Sequence, residues 1–196
     1  MKHYFTDNTD IESQPQEFVF RFKNFNLLFT SDNGVFSKNM IDYGSRVLLE
    51  SFAKESEKSL LDVGCGYGTF GICLKKAYPD LAVDMVDVND RALRLAKINA
   101  ENNNVDVSVY KSSVYENVDK TYDIIVSNPP VRAGKDIVMK ILSEAYQHLN
   151  ADGSLWIVLQ KKQGAPSAKK KMIEVFGNCE IIKRDKGYYI LKSKKI

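Results

Sequence analysis

Three groups of residues in this chain have the types and spacing for chemistry. The first is Leu60 to Gly71, LLDVGCGYGTFG, in which an apolar run ends in Asp62 and Gly64, Gly66 and Gly68 follow at every second position. Glycines there let the chain turn sharply and let backbone N–H groups approach a ligand closely. The pattern is G-x-G-x-G, not the G-x-G-x-x-G of a dinucleotide site, and it lacks the Lys-Ser/Thr ending of a phosphate loop. An acid directly before the loop suits a cationic ligand better than a pyrophosphate. The second is Asp87, nineteen residues beyond Gly68 at the end of the run LAVDMV. A carboxylate at such a strand end can accept from both hydroxyls of a ribose. The third is Asn128-Pro129-Pro130-Val131, where two prolines fix φ and contribute no N–H.

That tetrapeptide carries the most chemical information. The side-chain carbonyl of Asn128 and the main-chain carbonyl of Pro129 are two acceptors on a stiff turn, matched to the two hydrogens of a planar amino group. Such an amine is a poor nucleophile because its lone pair is delocalised. Accepting both N–H groups favours a tetrahedral nitrogen and stabilises the positive charge that develops on it. With an activated donor, in-line positioning supplies much of the remaining acceleration. Each motif alone has a plain structural reading, as a strand-turn-helix or a strand-ending turn. In sequence order they make a cofactor loop, a ribose acid and a catalytic corner of Asn128, Pro129 and Pro130. His3 and His148 lie at the terminus and near a helix end, and neither is expected to be catalytic.

The elements that must position these groups follow from periodicity. Glu17 to Ser31 alternates as a β-hairpin, and its Phe18, Phe20 and Phe22 face is expected to pack on a core more readily than on bases. A helix is expected from about Gly44 to Ala53, with Asp42 as its cap. The loop before it carries Phe36, which is placed to cover a ligand. Strand and helix then alternate: the run from Leu60 to Asp62, helix Phe70–Tyr78, Leu81–Val86, a helix capped by Asn89 and broken at Asn102-Asn103-Asn104, Val105–Tyr110, and Tyr122–Ser127. A helix Asp136–Leu149, a turn Asn150–Gly153, a strand Ser154–Leu159 and a helix Gly164–Phe176 continue the pattern. Cys179–Lys183 and Tyr188–Leu191 close as a hairpin about Asp185-Lys186-Gly187. Alternation implies a parallel α/β sheet, and the closing hairpin makes the last strand antiparallel.

Composition bounds the rest. The chain has 196 residues, with 44% hydrophobic and 27% charged, enough for one core and no sign of disorder. No apolar run is long enough to span a membrane, and MKHYFTDNTD has no apolar region of a signal peptide. Cys65, Cys73 and Cys179 fit free thiols in a reducing cytoplasm, so a cytoplasmic location without a membrane partner is expected. Net charge is +3, yet residues 151–196 hold eleven Lys/Arg against four Asp/Glu, and the rest hold 17 against 21. That asymmetry fits either a polyanionic partner or a solvated lysine face.

The set GVFSKNMIDYGSR, LLDVGCGYGTFGI, VDVNDRAL, YDIIVSNPPVRAGK and LQKKQGA covers most of residues 34–165. It resembles the class I, small-domain methyltransferases related to the ribosomal RNA guanine-N2 enzymes, and the glycine stretch resembles their motif I. The resemblance implies a Rossmann-like, seven-stranded, mostly parallel sheet with helices on both faces, as a single domain. Residues 1–43 would form the hairpin and covering loop, and residues 44–196 the core. S-adenosylmethionine, with its sulfonium and α-ammonium, is the implied cofactor. By position, Asp62 to Gly68, with Gly64, Cys65 and Gly66, would hold its methionine part. Asp87 would hold the ribose, Val88, Ser113 and Val114 would border the adenine, and Phe36 would cover the ligand. Asn128 to Val131 would hold the target amine, with Arg132, Lys135, Lys161, Lys162 and Lys169 to Lys171 on phosphates.

The implied acceptor is guanine N2 in RNA, with ribosomal RNA or a ribosomal subunit precursor as partner. Alternatives are a protein glutamine methyltransferase of the release-factor type, an adenine-N6 enzyme, and a non-catalytic cofactor- or RNA-binding module. Two departures stand out. Val131 sits where many relatives carry Phe or Tyr, which stack on a flat target. The better-known guanine-N2 enzymes also carry an N-terminal methyltransferase-like domain that these residues do not include. Neither the target nucleotide nor the oligomeric state is legible.

Overall fold

The structure is a computed structural model that describes residues 10–196. The expectation for His3 lies outside the described residues. Strands β1 (Gln16–Phe22) and β2 (Phe25–Ser31) form the expected antiparallel hairpin, with Phe22 opposite Phe25 and Lys23 at φ +52° in the turn. Phe22, Leu27 and Phe29 enter the core, and Phe18 stacks on Phe29 with centroids 5.9 Å apart. The aromatic face is therefore committed to packing.

Helix α1 (Tyr43–Ser51) leads to β3 (Ser59–Val63), α2 (Thr69–Ala77), β4 (Ala82–Asp87) and α3 (Asp90–Asn102). Then come β5 (Ser108–Lys111), β6 (Tyr122–Ser127), α4 (Lys135–Glu144), β7 (Leu149–Gln160), α5 (Ala165–Phe176), β8 (Glu180–Asp185) and β9 (Tyr188–Lys194). Seven strands make one sheet in the order β5-β4-β3-β6-β7-β9-β8. Pairing is parallel from β5 to β7, and β9 runs antiparallel to both neighbours.

The strands are apolar on both faces because helices cover both faces. Leu60 of β3 with Trp156 and Val158 of β7 faces α1, α2 and α3. Leu61 and Val63 with Leu155, Ile157 and Leu159 face Ile141, Leu142, Ala168 and Met172 of α4 and α5. Chain order steps outward from β3 to β5 and then returns to β6 on the other side of β3. In open α/β sheets the crevice beyond the carboxyl ends at such a reversal is where ligands bind.

Two expected elements differ. The helix placed at Asp136–Leu149 ends as α-helix at Glu144, and Ala145–His148 is a 3-10 turn. The turn placed at Asn150–Gly153 lies inside β7, because Leu149 already pairs with Tyr122 and the register shifts before Ile124. Asp152 at φ +64° takes up the extra length. A Cβ on Gly153 would sit 2.9 to 3.1 Å from the carbonyl oxygens of Asn150, Tyr122 and Asp123, so only glycine lets the two backbones approach this closely. The third core strand is also shorter than Val105–Tyr110, since Val105 N–H closes α3 by donating to Ala100 at 3.0 Å.

Candidate active site

The glycine loop leaves β3 with Gly64 at φ +72° and Gly66 at φ +56°. A Cβ at either position would meet nothing within 4 Å. These two glycines border open space, which is the geometry of a cradle that a ligand fills. The loop is pinned from beneath: Gly64 and Cys65 N–H groups both donate to the Val86 carbonyl at 2.9 Å.

Asp87, at the end of β4, completes the clamp. Its Oδ2 accepts from Gly66 N–H at 2.8 Å and its Oδ1 from Asn89 N–H at 2.9 Å. Burial raises its pKa, and the N–H donors from Asn89, Gly66 and Val88 oppose that rise. The carboxylate thus shapes the loop as well as facing the cavity.

Asp62 and Gly68 stand differently from the expectation of ligand contact. Asp62 is fully buried behind the loop, and its Oδ2 accepts from Gly71 N–H of α2 at 3.0 Å. Burial pushes its carboxyl up to about 7, against the Gly71 hydrogen bond and with a further push from the Asp87 charge. Its Oδ1 has no hydrogen-bond partner. Gly68 caps α2 at φ +100°, and a Cβ there would lie 2.6 Å from Ile72 Cδ1. Both residues tie β3 to α2 and neither lines the cavity.

The cavity itself has a volume of about 540 Å³, within the ~300–1,000 Å³ of cofactor clefts. Phe36, Gly64, Cys65, Gly66, Asp87, Val88, Ser113, Val114, Asn128, Pro129 and Pro130 all line it, as the sequence suggested. Tyr67, Thr69, Ser112, Ile137 and Ile141 line it too and were not foreseen. Among its lining residues the charged ones are Asp42 and Asp87, both acids. A phosphate would meet no cation here, whereas a sulfonium or ammonium group is well matched. The residues present therefore fit S-adenosylmethionine.

The covering loop is tied down by several bonds. Tyr67 Oη donates to the Ser37 carbonyl at 3.0 Å, Asn89 Nδ2 to the Gly34 carbonyl at 3.0 Å, and Arg91 Nη1 to the Asn33 carbonyl at 2.7 Å. Phe36 is 39% exposed and borders the cavity from that loop.

Asn128 follows β6, whose end is held to β3 by Ser127 Oγ donating to the Val63 carbonyl at 2.7 Å. Its Nδ2 donates to Asp42 Oδ2 at 3.3 Å and to Ser45 Oγ at 3.1 Å. Asp42 is the expected cap of α1, accepting from Ser45 N–H at 3.0 Å. A second cavity of about 380 Å³ shares Val35, Phe36, Asp42, Asn128 and Pro129 with the first. Val131, Arg132, Gln160, Gln163 and Tyr188 line its far side. Asn128 and Pro129 thus stand where two cavities meet.

The lysines are peripheral. Lys135, Lys161 and Lys162 are exposed and line neither cavity. Lys161 N–H donates to the Gly187 carbonyl at 2.8 Å, which sets this pair beside the β8–β9 turn. Lys171 is paired with Glu174 at 2.8 Å. His148 is half-buried and stacks on Tyr115 with centroids 4.6 Å apart. Among the described residues no cluster of His, Cys, Asp or Glu could hold a metal ion. No helix of the described residues is long and apolar enough to cross a membrane.

Comparison with known proteins adds three findings. The family model described as "Methyltransferase small domain" matches residues 26–192. "Uncharacterized protein YbxB" of Bacillus subtilis is 46% identical over 100% of this chain and 99% of its own length. "Ribosomal RNA small subunit methyltransferase C" of Vibrio parahaemolyticus is 34% identical over 83% of this chain and 48% of its own. The chain thus spans about half the length of that relative. Among solved structures, the T. thermophilus 16S rRNA N2 G1207 methyltransferase (RsmC), in complex with AdoMet and guanosine, superposes with a TM-score of 0.85. It is 24% identical, with coverage of 95% of this chain and 52% of that one, a likeness of fold.

Proposed function

This chain belongs to the methyltransferase small domain family and is an S-adenosylmethionine-dependent methyltransferase, and we propose that it methylates the exocyclic N2 amine of a guanine in RNA, ribosomal RNA first. The observation that carries this reading is the seam at Asn128 and Pro129, between a cavity whose charged lining is acidic and a second cavity open to a flat group. The cofactor supplies a methyl group already activated on a sulfonium. Asn128 Oδ1 and the Pro129 carbonyl accept the two N–H groups of the incoming amine. They draw its nitrogen toward tetrahedral geometry and stabilise the charge that develops there. Asp87 holds the ribose hydroxyls, and Ser113 and Val114 border the adenine.

Val131 and Arg132 line the second cavity. Arg132 offers donors to the carbonyl edge of a guanine, a pairing adenine cannot return with its own amino group. The base must leave its stack to reach this depth. Exposed Lys135, Lys161 and Lys162 supply contacts to phosphates outside the cavity. The same reading treats the hairpin and covering loop up to residue 43 and the core from residue 44 onward as one methyltransferase domain.

The test is methyl transfer from labelled cofactor to total RNA and, separately, to total protein from cells lacking the enzyme. Label in N2-methylguanosine is the expected result. Label in glutamine or in N6-methyladenine would overturn the acceptor assignment while leaving the family intact.

A further inference from the structure

An amide such as Asn128 has two nearly isosteric ends, and the amine chemistry above works with only one of them. If the side chain turned over, its NH₂ would point at the incoming amine and repel it. The neighbours of Asn128 decide which end faces which way. Asp42 Oδ2 lies 3.3 Å from Nδ2, and Ser45 Oγ lies 3.1 Å from it. A hydroxyl can donate or accept, so Ser45 alone would tolerate either orientation. An ionised carboxylate only accepts, so Asp42 requires the NH₂.

The two neighbours are themselves held. Ser45 is buried in the first turn of α1, and its N–H donates to the same Asp42 oxygen at 3.0 Å. The helix cap is therefore also the amide lock, with one carboxylate oxygen receiving both the Ser45 N–H and the Asn128 NH₂. Asp42 lines both cavities, so it stands at the same seam as the residue it orients.

We infer that Asp42, assisted by Ser45, is a positioning residue for methyl transfer: it fixes Asn128 with its NH₂ turned inward and Oδ1 left to accept the substrate amine. The inference rests on the amine-transfer role of Asn128. Asp42 touches no reacting atom in this role; it acts through Asn128.

The variant to make is Asp42→Ser, because serine caps helices as well as aspartate does and α1 keeps its start. A hydroxyl can donate or accept, so neither neighbour of Asn128 then requires its NH₂ and the correct orientation is no longer enforced. We expect kcat toward RNA from cells lacking the enzyme to fall roughly 10- to 100-fold, less than the ~10²–10³ lost with a group that itself touches the reacting atoms, because Asp42 acts through Asn128. Asp42 is also one of the two acids lining the cofactor cavity, so kcat is read at saturating cofactor, and the KM for RNA should move by less than about fivefold, a smaller effect than one lost charge-assisted bond. Ser45→Ala should lower kcat more mildly, and Ser45→Thr, which restores a hydroxyl, should recover it. Wild-type kcat in both Asp42→Ser and Ser45→Ala, beside an inactive Asn128→Ala, would overturn the inference and leave the amine reading standing. A loss confined to KM or to cofactor affinity would overturn it too. An active Asn128→Ala would remove the amine reading and this inference together.

Discussion

Asn99 treats Thr30 as a strand neighbour would: its Oδ1 accepts the Thr30 N–H at 2.7 Å and its Nδ2 donates to the Thr30 carbonyl at 2.9 Å. One turn further along α3, Asn103 repeats the arrangement with Leu28, at 2.9 Å and 2.8 Å. Side chains four apart on a helix share a face, and backbone groups two apart on a strand point the same way. The open edge of β2 is thereby covered by a helix that imitates a third strand. Asn99 Nδ2 also reaches the Tyr67 carbonyl at 2.9 Å, so the hairpin, α3 and the cofactor loop meet at one buried amide.

Removing that amide should be costly. Asn99→Ala leaves the Thr30 N–H and carbonyl and the Tyr67 carbonyl without a partner in a buried position. We expect a loss of at least about 3 kcal/mol in urea denaturation, since three buried groups are orphaned and each costs ~1–3 kcal/mol. Hydrogen exchange at the Thr30 amide should accelerate more than exchange in β3 or β6. Cofactor affinity should fall as well, because Tyr67 belongs to the loop.

This joint explains what the sequence could and could not reveal. Asn102-Asn103-Asn104 reads as a helix breaker, and α3 does end there. Nothing local says that Asn103 also docks a hairpin 75 residues away. Hydrophobic periodicity registers apolar faces, so a buried polar pair looks like a gap in the pattern. The site motifs were legible for the opposite reason. Gly64, Gly66, Asp87 and Asn128 each follow an apolar strand, and parallel strands deliver their carboxyl ends to one crevice. Asp42 was legible as a cap, but its bond to Asn128 joins segments 86 residues apart. Asp62 sits behind the loop and bonds α2, a placement that strand alternation cannot tell from one facing a ligand.

Glycines of the loop should divide by what surrounds them. Gly66→Ala places a methyl in open space at φ +56°, at a cost of about 1–2 kcal/mol for left-handed backbone. The methyl fills the cradle, so cofactor affinity should drop by more than about tenfold, as for any lost close backbone approach. Gly71→Ala instead drives a Cβ into Met85, with Met85 Cγ at 2.6 Å and Val83 Cγ1 at 3.2 Å. Overpacking of that kind destabilises by about 1–3 kcal/mol, with the remaining folded molecules binding cofactor normally. Thermal melts and calorimetric titration of each variant separate the two outcomes.

Asp62 gives the fold a pH dependence of known sign. Its carboxyl stands near 7 in the folded chain and near ~4 when unfolded. Between those values the folded state holds the extra proton, so stability is fully present at low pH and declines as pH rises toward about 7. Asp87, also raised by burial, acts in the same direction. Asp62→Asn keeps an oxygen for the Gly71 N–H and cannot ionise. The stability of wild type relative to this variant should therefore fall between about pH 4 and 7, by up to about 4 kcal/mol. Urea midpoints across that range are the measurement, and parallel curves would show that Asp62 ionises without cost.

The basic rim should be visible in the salt dependence of RNA binding. Lys161 and Lys162 flank Gln160 and Gln163, which line the second cavity, yet neither lysine lines it. On the proposed RNA reading they would hold phosphates of the strand that delivers the base, while lining neither cavity themselves. Each phosphate neutralised on a single strand contributes about −0.7 to the slope of log K against log salt. Replacing both lysines with alanine should make the slope shallower by about 1.4 and weaken binding at low salt. Because the Asn128–Pro129 seam is untouched, kcat at saturating RNA should hold near wild type. An unchanged slope would move the phosphate contacts to another face, with Lys183, Arg184 and Lys186 of the β8–β9 hairpin the next residues to replace.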